Sequence, residues 1–321
     1  MVGSATGWVS HQIPGRSGVR FTMLEMVSKR IGLLLLVAAI AVTCLAWFLV
    51  KRERSSQPIV DHPRLVAGVV LHDITFSSQA LHRDMQYRVL MPERAVAQTV
   101  PVVYLLHGGG GSFRDWSNYS DAAQFASRGL VLVMPQGDNS YYTNAVLRPQ
   151  DRYEDYIIND LPADVARRFP VRNDRQGQAI AGVSMGGFGA IKLALRHPDR
   201  FAFAGALSPA LDVPRRRFTW RRLSQSRHFR EIFGPDDSDT RHGNDPFLML
   251  PKTDPAKAPF FYISCGRQEG LLAPNREFAA LLDRYHLAHE FHAVPGGHDW
   301  NDWNAQLPGL FASLQHSLLP D

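Results

Sequence analysis

The chain is poor in cysteine: Cys44 and Cys265 are the only two in 321 residues. Two thiols so far apart, one of them in an apolar run, imply no disulfide framework, which excludes the small stapled secreted class. No glycine fingerprint of a dinucleotide site is present, and no histidines, cysteines or carboxylates recur at metal-ligand spacing. No cofactor and no metal are therefore expected. There is no internal repeat. Excess charge of one sign is slight, at 35 Lys and Arg against 30 Asp and Glu, a formal +5. That balance is too weak to imply nucleic acid, and no nucleic-acid partner is expected.

Charge is missing altogether from Ile31 to Val50. As a helix those twenty residues would span about 30 Å, the thickness of a bilayer core. A cleaved signal peptide is the rival reading, but the run is long for one and no small-x-small site follows it. The expectation is a single-pass anchor at 31–50, with basic flanks over 29–54. Basic residues stand on both sides, so charge does not set the orientation; the catalytic domain is expected outside the cytoplasm. Residues 1–28 read as a mobile tail and 55–64 as a polar linker with two prolines.

Residues 65–321 suit one large globular domain. Val100 to Leu106 and Leu130 to Met134 are continuous apolar runs, as in strands buried on both faces. Leu65–Phe76 and Met85–Met91 alternate like strands; shorter strands are expected at 202–207, 259–265 and 289–294. Helices are expected at 121–128, 153–169, 275–285 and from about Asn301 to Leu318. Strands alternating with helices predict a mostly parallel sheet covered on both faces.

The centre of the pattern is Gly182-Val183-Ser184-Met185-Gly186, between a short apolar strand and a helix. On such a sharp turn a serine hydroxyl is thrust above the sheet, and side chains at Gly182 and Gly186 would clash. Ser184 is thus the candidate nucleophile. A serine needs a base, an orienting acid and an oxyanion site. The base is expected on a late loop, and His298 in Gly296-Gly297-His298-Asp299-Trp300 fits. Asp299 reads as a helix cap, and Trp300 and Trp303 as packing residues. The acid should follow a strand between Ser184 and His298; Glu269, after the strand ending at Ser264, is the choice, with Asp212 as runner-up. His107-Gly108-Gly109-Gly110-Gly111 follows a buried strand, so Gly108 and Gly109, with the N–H of Met185, are the candidate oxyanion donors. His107 itself reads as structural.

From roughly Val66 to Leu318 the chain resembles the esterase family of α/β-hydrolases. That family includes S-formylglutathione hydrolase (esterase D), feruloyl, acetyl-xylan and tributyrin esterases, and the mycobacterial mycolyltransferases. The resemblance rests on Tyr104–Gly108, Gly182–Gly187, Cys265–Leu271 and Gly296–Trp300 taken together. It implies an α/β-hydrolase fold, preceded here by the expected transmembrane helix. It also implies a carboxylic-ester hydrolase working through an acyl-enzyme. The family commonly has aspartate where this chain has Glu269. A cap-like insertion is expected at about 213–258, within which Pro214 to Arg230 carries seven arginines interleaved with Phe218, Trp220 and Phe229. A solvated face, a lining for an acidic substrate and a contact with anionic lipid near the anchor all suit that stretch, with nucleic-acid binding a formal and less coherent alternative. Three functional readings stand: an esterase for small-molecule or carbohydrate esters, an acyltransferase with the same triad, or a non-catalytic membrane-tethered binding module.

Overall fold

The computed structural model describes residues 36, 37, 39–43, 61–93 and 99–318. It divides at Val60 into two units. In the first, the described residues between 36 and 43 are helical. The remainder of the 31–50 run, the 1–28 tail and the 55–60 part of the linker lie outside the described residues. Among the described residues no helix is long and apolar enough to cross a membrane.

The second unit, Asp61–Asp321, is built on one eight-stranded sheet. Its strands are β1 Val69–Ser78, β2 Arg83–Pro92, β3 Val102–Leu106, β4 Val131–Pro135, β5 Gln178–Val183, β6 Phe203–Leu207, β7 Phe260–Gly266 and β8 His289–Val294. The order is β1-β2-β4-β3-β5-β6-β7-β8. β1 and β2 pair antiparallel, β2 meets β4 antiparallel, and every pair from β4 to β8 is parallel. The main helices are α1 Asp115–Tyr119, α2 Leu161–Arg168, α3 Met185–Arg196, α4 Leu223–Phe233, α5 Leu272–Arg284 and α6 Trp300–Leu318.

Strand alternation sorts the core into two layers. Val102, Tyr104 and Leu106 of β3 join Ile180, Ala204 and Ile263 on one face, under Ile191 and Leu195 of α3 and Phe278 and Leu282 of α5. Val103 and Leu105 point the other way, with Ala181, Val183 and Leu207, under Trp116 of α1 and Leu307, Leu310 and Phe311 of α6. Both faces are thus covered, which is why β3 and β4 read as unbroken apolar runs.

Several boundaries differ from the sequence reading. β1 starts at Val69 because Gly68, with φ 77°, turns the chain just before it. The continuous helix expected at 153–169 is interrupted: a helical turn Tyr153–Asp155 and a π-helical turn Tyr156–Asp160 precede α2. Pro162 has no N–H to continue the α ladder, and a wider turn takes up the slack. The helix expected at 121–128 shrinks to Ala123–Ala126. Between β6 and β7, the segment 213–258 contains only helical pieces, of which α4 is the longest.

Candidate active site

The site lies beyond the C-terminal ends of the parallel strands, where the loops after β3, β5, β7 and β8 converge. Ser184 stands between β5 and α3 with φ 54° and ψ −112°, a backbone conformation that L-residues seldom adopt. The surroundings fix it. Its N–H donates to Leu207 O (2.9 Å) and its carbonyl accepts from the N–H of Ala210 (3.1 Å), tying the turn to the end of β6. The two flanking glycines leave no room for a side chain: a Cβ on Gly182 would overlap the carbonyl of Gly186, and one on Gly186 would overlap that of Leu106.

Three residues separated by up to 114 positions meet here. His298 Nε2 lies 2.9 Å from Ser184 Oγ, and His298 Nδ1 lies 2.6 Å from Glu269 Oε2. The imidazole is partly open to solvent, whereas the Glu269 side chain is 1 % exposed. A buried carboxylate needs donors on each oxygen. The second oxygen, Oε1, accepts from the Gly266 N–H (2.7 Å) and from Ser208 Oγ (2.5 Å). Ser208 is fully buried, has φ 48°, and accepts from Trp303 Nε1 (3.1 Å). The runner-up acid, Asp212, is occupied elsewhere: both its oxygens accept from Arg216, at 2.8 and 2.9 Å. Cys265 is buried in the same region. Burial, with the Glu269 charge beside it, pushes the thiol up to about 12, so it is no nucleophile.

Gly108 packs against Ser184: a Cβ there would come 3.6 Å from the serine Cβ. Among the described residues the N–H groups of Gly108, Gly109 and Met185 have no protein acceptor, so they are free to receive one. His107 braces this loop from behind. Its Nδ1–H donates to Gly108 O (2.7 Å), its Nε2 accepts from the Gly137 N–H (2.9 Å), and its carbonyl accepts from Tyr142 OH (3.0 Å). Burial lowers its pKa, with the Gly108 hydrogen bond opposing, so the ring serves as a neutral strut. Asn139 completes the brace, its Oδ1 accepting from the Gly110 N–H at 2.6 Å.

A cavity of about 360 Å³ opens over Ser184 and His298, walled by Gly108, Gly109, Asp115, Trp300 and Trp303. The two tryptophans do pack, edge to face at 5.3 Å, and Trp303 also meets the His298 ring at 4.9 Å. Packing and site lining therefore coincide there. Asp299 caps α6 as expected, its Oδ1 accepting from the N–H groups of Asn301 and Asp302.

The sequence reading missed Ser208, Trp303 as a hydrogen-bond donor, and the 137–142 brace. Their signals are tertiary: nothing local distinguishes Ser208 from any serine before a proline. A further omission did leave a trace. Lys192 interrupts the apolar run of α3 and is fully buried, donating to Tyr142 O (2.7 Å), Thr143 Oγ1 (2.9 Å) and Glu154 Oε2 (2.8 Å). Among the described residues no group of three or more His, Cys, Asp or Glu is arranged to hold a metal.

Comparison with known proteins agrees with this architecture. The family described as "Putative esterase" matches residues 78–314. An acetyl esterase of Caldicellulosiruptor saccharolyticus is 26 % identical over 262 residues, covering 76 % of this chain and 97 % of its own. The diacylglycerol acyltransferase/mycolyltransferase Ag85B of Mycobacterium leprae is 26 % identical, over 68 % of this chain and 76 % of that protein. Among solved structures, the Staphylococcus aureus fluorophosphonate-binding serine hydrolase FphF superposes with a TM-score of 0.68. It is 26 % identical and covers 77 % of this chain and 99 % of its own. With its doubly covered sheet, its strained serine turn and a family match across most of its length, the chain belongs to the esterase family of α/β-hydrolases.

Proposed function

We propose that the protein hydrolyses carboxylic esters through an acyl-enzyme on Ser184. His298 Nε2 takes the Ser184 proton as Oγ bonds to the ester carbonyl carbon. The carbonyl oxygen, now negative, is held by N–H groups of Met185 and of Gly108 or Gly109. The intermediate collapses: the C–O bond to the alcohol breaks and the alcohol leaves with the proton from His298. Water then gives a proton to His298, attacks the acyl carbon, and releases the acid as the proton returns to Ser184. Glu269 keeps the imidazole in one tautomer and balances its charge while protonated. The observation that carries this reading is the unbroken line Ser184 Oγ, His298 Nε2, His298 Nδ1, Glu269 Oε2. Small-molecule or carbohydrate esters are the proposed substrates.

A fluorophosphonate probe tests the nucleophile. Labelling of the wild type, lost in Ser184→Ala, is expected, together with turnover of p-nitrophenyl esters that the variant lacks. A folded wild type that takes no label would leave a binding module on a hydrolase fold. The likeness to Ag85B supports a second reading, transfer of the acyl group to an alcohol acceptor. Added alcohol would then divert product from free acid to the new ester in proportion to its concentration.

We also read residues 31–50 as a membrane anchor with the catalytic domain on the extracytoplasmic side, on the strength of twenty residues without charge. Full-length protein should then resist carbonate extraction, and external protease should digest the domain in intact cells.

A further inference from the structure

We infer that the arginine-rich face of the segment between β6 and β7 is a docking surface for an anionic lipid bilayer. Seven arginines fall between 215 and 230, and they divide into two sets. Arg215, Arg216 and Arg217 pair with Glu277, Asp212 and Asp237. Among the described residues Arg221, Arg222, Arg227 and Arg230 have no carboxylate within 4.0 Å, and all four are exposed. Four exposed guanidiniums without an ion-pair partner, all within ten residues, leave this stretch with a local excess of positive charge, even with Glu231 beside them.

The charge is not alone. Trp220 is 78 % exposed and stacks edge to face on the exposed Phe218, centroids 5.2 Å apart. Residues 217 to 222 are exposed without a break, so this aromatic pair has no core to join. A tryptophan flanked by arginines suits the headgroup level of a bilayer, where the ring meets acyl chains and the guanidiniums meet phosphates. A polyanion such as nucleic acid would satisfy the arginines but offers the aromatic pair no apolar phase. The chain also holds its twenty uncharged residues, 31–50, only ten residues ahead of Asp61. A membrane anchor at that run, as proposed above, would tether the domain to a bilayer.

The surface can be tested without the apolar run. Residues 61–321 form their own unit, and relatives matched over 97 % and 99 % of their own lengths pair with about three quarters of this chain, so the domain stands by itself. The fragment is mixed with vesicles of phosphatidylcholine alone or with about a third phosphatidylglycerol, and floated on a density gradient. Flotation with the anionic vesicles only, and a blue shift of tryptophan emission on binding, are expected. Arg221→Glu with Arg222→Glu should weaken partitioning at least thirtyfold, roughly fivefold for each arginine lost and more for the reversed charge. Trp220→Ser should abolish the blue shift. Circular dichroism and thermal unfolding verify that the variants fold, whether or not they turn over esters. Equal flotation with both vesicles, unchanged binding by the double variant, or tighter binding to a DNA oligonucleotide that competes the vesicles away would each overturn the assignment.

Discussion

Both carboxylate oxygens of Glu269 are engaged: Oε2 by His298, Oε1 by Ser208 and the Gly266 N–H. In the proposed mechanism, Glu269→Gln keeps the shape and loses the charge, so turnover should fall by orders of magnitude in a protein whose circular dichroism is unchanged. Glu269→Asp should keep part of the rate, and Asp212→Asn nearly all of it, because Asp212 serves Arg216. If Asp212→Asn is dead and Glu269→Gln is active, the acid has been placed wrongly. Ser208→Ala removes one hydrogen bond to a charged group, worth about 1.5–3 kcal/mol. It should lower kcat roughly ten- to hundredfold with little change in KM, since Ser208 does not line the cavity. The candidate nucleophile, base and acid could be found in the sequence because each sits in a local motif after a strand. Ser208 could not, because a hydrogen bond between β6, the β7 loop and α6 leaves no local mark in any of them.

The strand, turn and helix around Ser184 form the most constrained element. An alanine at Gly186 would drive its methyl into the Leu106 carbonyl, and one at Gly182 into the Gly186 carbonyl. Backbone cannot step aside as a flexible side chain does, so either variant should lose several kcal/mol of stability or accumulate insoluble, as seen by expression and thermal melts. Farther along the same helix, Lys192 is charged in the core because Glu154 faces it, with Arg196 and His197 on the same carboxylate. Glu154→Gln strands that ammonium and should cost about 3–5 kcal/mol by urea unfolding. Adding Lys192→Met should restore much of the loss, because the pair, once removed together, leaves no buried charge. Glu154 itself sits in the interrupted helix at 153–168. The apolar spacing there is helical throughout, so one helix is what the sequence suggests; the π turn answers to Pro162 and to tertiary packing.

Within the second unit, the parallel sheet was legible because unbroken apolar runs mark β3 and β4 and helical segments separate the strands that follow. Strand order was not, since pairing partners are chosen by packing. Stability should depend on acid through the buried Glu154. Burial alone would raise its pKa; Lys192, His197 and Arg196 outweigh that and hold it below the usual carboxylate range. The stabilisation is thus complete above an ordinary glutamate pKa of 4.5 and is lost as pH falls below it toward the folded value. Urea melts between pH 7 and pH 3 should lose stability more steeply in the wild type than in Glu154→Gln.

Trp303, which donates to Ser208, lies on α6, and the loop bearing His298 immediately precedes that helix. In the proposed mechanism, a ribosome must therefore add the 114 residues that separate Ser184 from His298 before the serine can meet its base. Until α6 docks, the serine turn can exist without a reactive centre, so a half-made or nicked protein stays silent toward the esters around it. In refolding, ester turnover should return only with the last phase of tertiary signal, after helical content has recovered. A chain ending at residue 299 should be inert even where it keeps its sheet.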